Sequence, residues 1–303
     1  MAYSSGNTIL AADFNTFRTS VEDIFGDTNS GSVAPGALIF GYGETMLQAA
    51  VSAGTGITAA QWNNLYMMIH RCAGHQGSTI SIGGSVTADA YSAGGSIGVD
   101  GNLAADIATV VANKGNVDAS NLTTTARNDK SGTANWSAST VHSFTQTFAS
   151  YDAARHFYNQ GGAMIISASR TGGSGHTQNS NWTALLTAVG TVTMTVASTA
   201  QSGSGGTAGK SFDDIVAAVS TTHVIFNQAD SGAYASNNYK IECSCNAAKT
   251  VYTWTITFTD GHANAFEDYV DGTLASNVSE KRATGTYVNS DAPSYSAGSY
   301  TQS

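Results

Sequence analysis

The chain has 303 residues, 12 of them basic and 21 acidic, so charged side chains make up 11% of it and the net charge is −9, against about 25% charged residues in an ordinary soluble domain. Basic residues are isolated apart from Lys281-Arg282, which excludes a phosphate-tracking nucleic-acid surface, and no apolar run approaches the ~18 residues of a membrane span. A surface so poor in charge is left to Ser, Thr, Asn, Gln and Gly or to contact with other subunits, while 41% hydrophobic residues are enough for a core.

The N-terminal MAYSSGNTIL lacks the basic and apolar regions of a secretory signal. The three cysteines, Cys72, Cys243 and Cys245, are too few and odd in number for a disulfide framework, so the chain reads as folded in a reducing cytoplasm. Residues 9–27 then align without a gap with residues 57–75, an internal repeat in which Ile9/Ile57, Ala11/Ala59, Ala12/Ala60, Asn15/Asn63 and Gly26/Gly74 are identical. Phe14, Phe17, Val21 and Ile24 fall on one helical stripe, and Trp62, Leu65, Ile69 and Cys72 repeat it. Thr58 and Gln61 fit a capping box, and Gly26 and Gly74 suit left-handed C-caps. Leu10 stands where Thr58 does in the second copy, so the first helix takes its cap from elsewhere, from Asn7 or Thr8. Between the copies, Gly41-Tyr42-Gly43 allows the chain to reverse beside an aromatic ring.

Residues 78–135 form a second region, rich in Gly, Ser, Ala and Thr, which reads as an extended segment or insertion. One short helix is expected in it, where Leu103, Ile107 and Val111 recur at spacing four. No nucleotide-binding glycine pattern accompanies its glycines. Period-2 alternation begins beyond Trp136 and predicts strands at 141–148, 163–170, 191–199, 222–228, 238–246 and 251–260. In the last, Tyr252, Trp254, Ile256 and Phe258 face one side and threonines the other. Short helices are expected at 151–158, 182–189 and 212–219. The fold expected is α+β, mainly β: a helical repeat module over 1–77, then an antiparallel β-sandwich-like domain over 136–303.

Candidate chemistry is sparse. His70 and His75 are five apart and point in different directions on one helix, unlike a zinc pair. Cys243 and Cys245 share one side of a strand and read as small buried hydrophobes. Asp260, Glu267, Asp268 and Asp271 cluster in TDGHANAFEDYVDG; the spacing does not match a calcium-binding EF-hand loop, which favours a solvated turn. No cofactor is expected. Arg155 and Arg170 flank HFYNQGGAMIISAS and suit subunit contacts, because Arg forms bidentate pairs at partly desolvated surfaces.

Two stretches carry a resemblance. GYGE from Gly41 followed by ITAAQWNNLYMMIHRCAGHQG from Ile57, with Glu44 where Gln is usual, is similar to a module of virion structural proteins of tailed bacteriophages, notably T4-like myoviruses of cyanobacteria. FTQTFASYDAARHFYNQGGAMIISASRTGGS from Phe144 resembles a second segment of the same proteins, matched at Ala153, Ala154, Arg155, His156, Phe157, Asn159, Gly161 and Gly162. The resemblance implies a non-enzymatic component of the tail, baseplate, fibre or collar. Its partners would be its own copies in a homo-oligomer and other virion proteins, with neither nucleic-acid binding nor membrane insertion. The expected assembly contacts are Phe14, Phe17, Tyr42, Trp62, Leu65, Arg155 and Arg170, with core packing as the alternative for the aromatic residues. Two rival readings are a receptor-binding adhesin recognising host-surface carbohydrate, with the tail YVNSDAPSYSAGSYTQS among its loops, and a polysaccharide depolymerase using the carboxylates of 260–271.

Overall fold

A computed structural model describes residues 10–26, 40–82, 103–262 and 269–303. The repeat forms two helices, α1 (Ala11–Phe25) and α2 (Ala59–Gln76), joined by α3 (Leu103–Ala112). Both predicted stripes face inward: Phe14, Phe17, Val21 and Ile24 of α1 and Trp62, Leu65, Ile69 and Cys72 of α2 are buried, and Phe14 meets Trp62 edge to face at 4.9 Å. Thr58 and Gln61 form the expected capping box. The first helix is closed instead by Asp13, whose carboxylate accepts the Leu10 N–H at 3.3 Å; Asn7 and Thr8 lie outside the described residues. Neither predicted C-cap glycine is left-handed. Gly26 is extended (φ −86°), and Gly74 lies inside α2, where a Cβ would stand 2.6 Å from the Tyr287 ring. The left-handed cap is Gly77, at φ 69°. In α3 the inward residues are Leu103, Asp106, Ile107 and Val110, while Val111 is exposed. Asp106 is tolerated inside because it accepts the N–H groups of Ser81 and Ile82 at 2.9 and 2.7 Å.

The rest is an antiparallel two-sheet sandwich. One sheet runs β1 (Leu122–Ala126), β11 (Thr273–Ala283), β4 (Ala163–Thr171), β5 (Thr191–Met194), β6 (Thr199–Gln201), with β2 (Lys130–Gly132) also on β11. The other runs β12 (Ser294–Tyr295), β3 (Ser139–Thr147), β10 (Val251–Thr259), β9 (Asn238–Cys245), β8 (His223–Ala229), β7 (Thr207–Ala208), with β13 (Ser299–Gln302) also on β3. The period-2 reading holds where it was clearest, since β3, β9 and β10 alternate strictly between buried and less buried positions. Helices α4 (Tyr151–Asn159), α5 (Thr177–Val189) and α6 (Phe212–Ala217) share one core with the inner faces of both sheets.

Several expectations change in the structure. The strand at 191–199 is a hairpin, β5 and β6, closed by the Thr195 N–H on the Ser198 carbonyl at 2.8 Å. The described residues of 78–135 do not stand apart from the rest: α3 packs with α1 and α2, and β1 and β2 pair with β11. Nor is the helical core built from 1–77 alone, because Ala283 and Val288 complete it. The C-terminal stretch is a fixed strap along β3 rather than a loop. Tyr295 donates to Glu280 at 2.8 Å and Tyr300 to the Leu274 carbonyl at 2.9 Å, so neither hydroxyl is offered to a sugar.

Candidate functional site

The two stretches that carry the resemblance meet in space. Tyr42 lies along the end of α1, its N–H on the Ile24 carbonyl at 2.7 Å and those of Gly43 and Glu44 on Gly26 and Phe25 at 3.0 and 2.9 Å. From the far side, the end of α4 grips the same three residues. Asn159 donates to the Gly41 carbonyl at 3.2 Å, the Gln160 side-chain amide donates to the Tyr42 carbonyl, and His156 stands so close to Gly43 that a Cβ there would lie 2.1 Å from its ring. His75, near the end of α2, donates through Nε2 to the Gln160 carbonyl at 3.2 Å; a carbonyl only accepts, which fixes the tautomer. Its ring meets Tyr42 edge to face at 4.9 Å. The Tyr42 hydroxyl donates to the Lys114 carbonyl at 3.1 Å and accepts from Gln76 at 3.3 Å.

The glycines of this joint have steric reasons. Gly41 (φ 151°) and Gly43 (φ 73°) occupy backbone regions that disfavour side chains, and a Cβ on Gly41 would lie 2.5 Å from the Gly26 carbonyl oxygen. A Cβ on Gly162, past the end of α4, would lie 2.3 Å from the Phe157 carbonyl oxygen. Glu44, where Gln is usual in the resembled module, pairs with Arg71 at 2.6 Å and accepts the Asn289 N–H at 3.0 Å. Its carboxylate therefore ties the joint to α2 and to the segment after β11.

Of the expected contact residues, Tyr42 and Arg155 belong to this joint, Arg155 being 1% exposed beside Asp152 at 3.2 Å. Phe14, Phe17, Trp62 and Leu65 form the helical core one layer away. Arg170 is remote from them and closes a different latch, donating to the carbonyls of Asp271, Asn179 and Gly172 at 2.8, 3.1 and 2.9 Å. All seven are buried within a single chain, so the aromatic stripe is covered by the second helix instead of being presented to a partner. The physical reason is the repeat itself, since two matching apolar stripes cover each other. His75, Gln76, His156, Asn159 and Gln160 carry much of the joint and were not selected from the sequence; their only signal was their place in the two resembling stretches.

The other constellations are structural. Asp271 accepts from Ser174 N–H at 2.9 Å and from the Ser174 hydroxyl at 3.0 Å, and also from Asn179; Asp260, 5% exposed, accepts from Gln178 at 2.5 Å. Glu267 and Asp268 lie outside the described residues. Cys243 and Cys245 are buried and unpaired by disulfides. Among the described residues no three His, Cys, Asp or Glu side chains are grouped to hold a metal, and no helix is long and apolar enough to cross a membrane. A second polar knot lies between the sheets. Glu280, fully buried, is held by Arg127 and by Tyr295, while His142 accepts from Ser276 at 2.9 Å and donates to Asn128 at 3.1 Å.

Burial holds both His75 and His142 neutral, each pushed down to about 4 from an ordinary value near 6.5. The unfolded chain therefore binds more protons than the folded one between about pH 6.5 and 4, and stability falls as pH drops through that window. Each histidine contributes a slope of up to about 1.4 kcal/mol per pH unit there. Urea midpoints measured from pH 8 to 4 are expected to be level with respect to these groups above 6.5 and to decline below it, less steeply in His142→Gln.

Comparison of the chain with protein-family models, with curated proteins and with solved structures finds no match. Fold and joint together define the chain as an α+β protein in which a helical module is bolted to a two-sheet sandwich.

Proposed function

We propose that this chain is a non-enzymatic virion structural protein of a tailed phage, self-associating and docking to other virion proteins in the tail, baseplate, fibre or collar. The observation that carries the reading is the joint. The two separated stretches that resemble virion proteins meet in one packing unit, to which the matched residues Gly41, Tyr42, Gly43, His75, Gln76, Arg155, His156 and Asn159 contribute. Buried hydrogen bonds of this kind, from Asn159 to Gly41, Gln160 to Tyr42, Gln76 to Tyr42 and His75 to Gln160, hold elements at a fixed angle, which is what a subunit of a rigid assembly needs. The scarcity of charge supports the same reading, since such surfaces suit extensive subunit packing. Two measurements test it together: the mass of the purified chain by light scattering over a concentration series, and its presence in phage particles purified through a density gradient. A defined oligomer found in particles is the expected result; a stable monomer absent from particles overturns the proposal.

A carbohydrate-binding adhesin is the second reading, favoured by aromatic rings near the loops at one end of the sandwich. Tyr234 and His262 stand 4.5 Å apart and His176 and Tyr269 5.2 Å apart, and aromatic faces beside amides suit sugar rings. A glycan array probed with the full chain, positive for wild type and lost in Tyr234→Ala, would establish this reading over pure scaffolding.

A further inference from the structure

The proposed self-association leaves open which surface two copies share, and the sheet edges answer it. A sheet edge with unpaired N–H and C=O groups is a template for another strand, and proteins blunt such edges with shortness, bulges, charge or cover. Three of the four edges here are managed. β7 is two residues long and is followed by Gly209 and Lys210, which continue to cover β8. β6 is three residues long and approaches β7. On the β3 side the strap is broken at Gly298 (φ 70°) and closed where the Ser303 carbonyl accepts the N–H groups of Ser137, Ala138 and Ser139.

The fourth edge, β1, is different. It is a five-residue strand, LTTTA, without charge, proline or bulge, and Thr123, Thr124 and Ala126 are exposed. The direction of its backbone groups follows from its neighbours. The Asn121 carbonyl accepts the Thr284 N–H at 3.1 Å, and the Arg127 N–H donates to the Val278 carbonyl at 2.8 Å. Both are in register with the β1–β11 ladder, so alternation turns Thr123 and Thr125 toward β11 and Leu122, Thr124 and Ala126 outward. The outward Leu122 N–H is satisfied by the Ala119 carbonyl. Among the described residues nothing meets the outward N–H and C=O of Thr124.

We propose that β1 is a homotypic docking edge: two copies pair their β1 strands antiparallel about a two-fold axis at Thr124, joining two sheets into one. The inference rests on the proposed self-association and deepens it. The occupant is a second copy because the strand is self-complementary. Pairing about Thr124 sets threonine opposite threonine throughout the centre, a favourable cross-strand match, and Leu122 opposite the partner strand's alanine. Thr124 of each copy exchanges N–H and C=O with its counterpart, and the Ala126 N–H reaches the opposite Leu122 carbonyl. Antiparallel pairing also brings the acidic entry of the strand, at Asp118, toward Lys130 at the exit of the other copy, while Arg127 stays engaged with Glu280 of its own chain. A two-fold axis makes this contact isologous and closed, so it gives a dimer or the dimeric step of a larger symmetric particle rather than a fibre.

Thr124→Pro tests the edge selectively, because the N–H that it removes points outward and not to β11. Thr124→Lys serves as a second variant that keeps the backbone and puts charge at the two-fold axis. Mass by light scattering and thermal melting are measured on the full-length wild type and both variants. The expected result is a wild-type dimer, or a multiple of it, whose dissociation constant rises at least tenfold in both variants while the melting profile at low concentration is unchanged. Should oligomers persist in both variants with unchanged affinity, β1 is not the interface although self-association stands. If the wild type is monomeric at every concentration, the self-association reading itself fails, and the edge proposal with it. Should Thr124→Pro fail to fold, Thr124→Lys alone decides between these outcomes.

Discussion

Replacing Gly41 by alanine is expected to destabilise the chain by about 3 kcal/mol or more. Two costs combine. A non-glycine residue at φ 151° is strained by about 1–3 kcal/mol, and the new Cβ would sit 2.5 Å from the Gly26 carbonyl oxygen, a backbone atom that already accepts the Gly43 N–H. Relief requires moving the Gly41–Glu44 segment away from α1, which also pulls it off Asn159 and Gln160. Gly54→Ala provides the control. Gly54 is at φ 84° with open space where its Cβ would be, so only the backbone strain of about 1 kcal/mol applies. Urea midpoints of the two variants separate the terms, and equal shifts would mean that the joint adds nothing to stability.

Arg170→Ala is expected to cost about 3–5 kcal/mol, the range for breaking a buried ion pair from one side. Arg170 is 5% exposed and reaches three carbonyls, the Thr183 hydroxyl at 3.3 Å and the Asp271 carboxylate at 3.5 Å. Truncation leaves those acceptors without their donor in a region that water enters poorly. Asp271 retains Ser174 and Asn179, so the loop before β11 is expected to loosen without detaching. Arg170→Lys restores charge but not the fan of donors, and is expected to recover less than half of the loss. Hydrogen exchange of the Ser174 and Asp271 amides measures the local effect, and a denaturation midpoint within error of wild type in Arg170→Ala would refute the role given to this latch. The same fan engages the Arg170 donors within its own chain.

Much of the fold was legible because alternation and helical spacing are local properties. The stripe Phe14, Phe17, Val21, Ile24 and its repeat could be paired before any coordinates, since two amphipathic helices of matching pattern bury one another. The face of β10 carrying Tyr252, Trp254, Ile256 and Phe258 is buried as its pattern requires. What escaped was local sequence that disobeys the pattern for tertiary reasons. β11 is the longest strand and was not predicted, because its inward positions read Leu274, Ser276, Val278, Glu280, with two polar residues where an apolar face is expected. Those residues point inward only because distant parts of the chain satisfy them: His142 of β3 for Ser276, and Arg127 and Tyr295 for Glu280. β1, with three threonines in five residues, has no apolar alternation to detect and exists because β11 supplies its ladder.

The candidate site divides in the same way. The sequence by itself determined that the chain has two matched helical stripes, a threonine-faced antiparallel sheet and a low share of charged residues, since these depend on residue type and spacing alone. Tertiary structure alone decided that Gly41-Tyr42-Gly43 and the end of α4 form one joint, that Arg155 and Arg170 are engaged within the chain, and that among the described residues nothing meets the outward backbone of Thr124 in β1. Such facts depend on which buried polar group finds which partner across more than a hundred residues, and hydrogen bonding of that range leaves no periodic trace in the sequence.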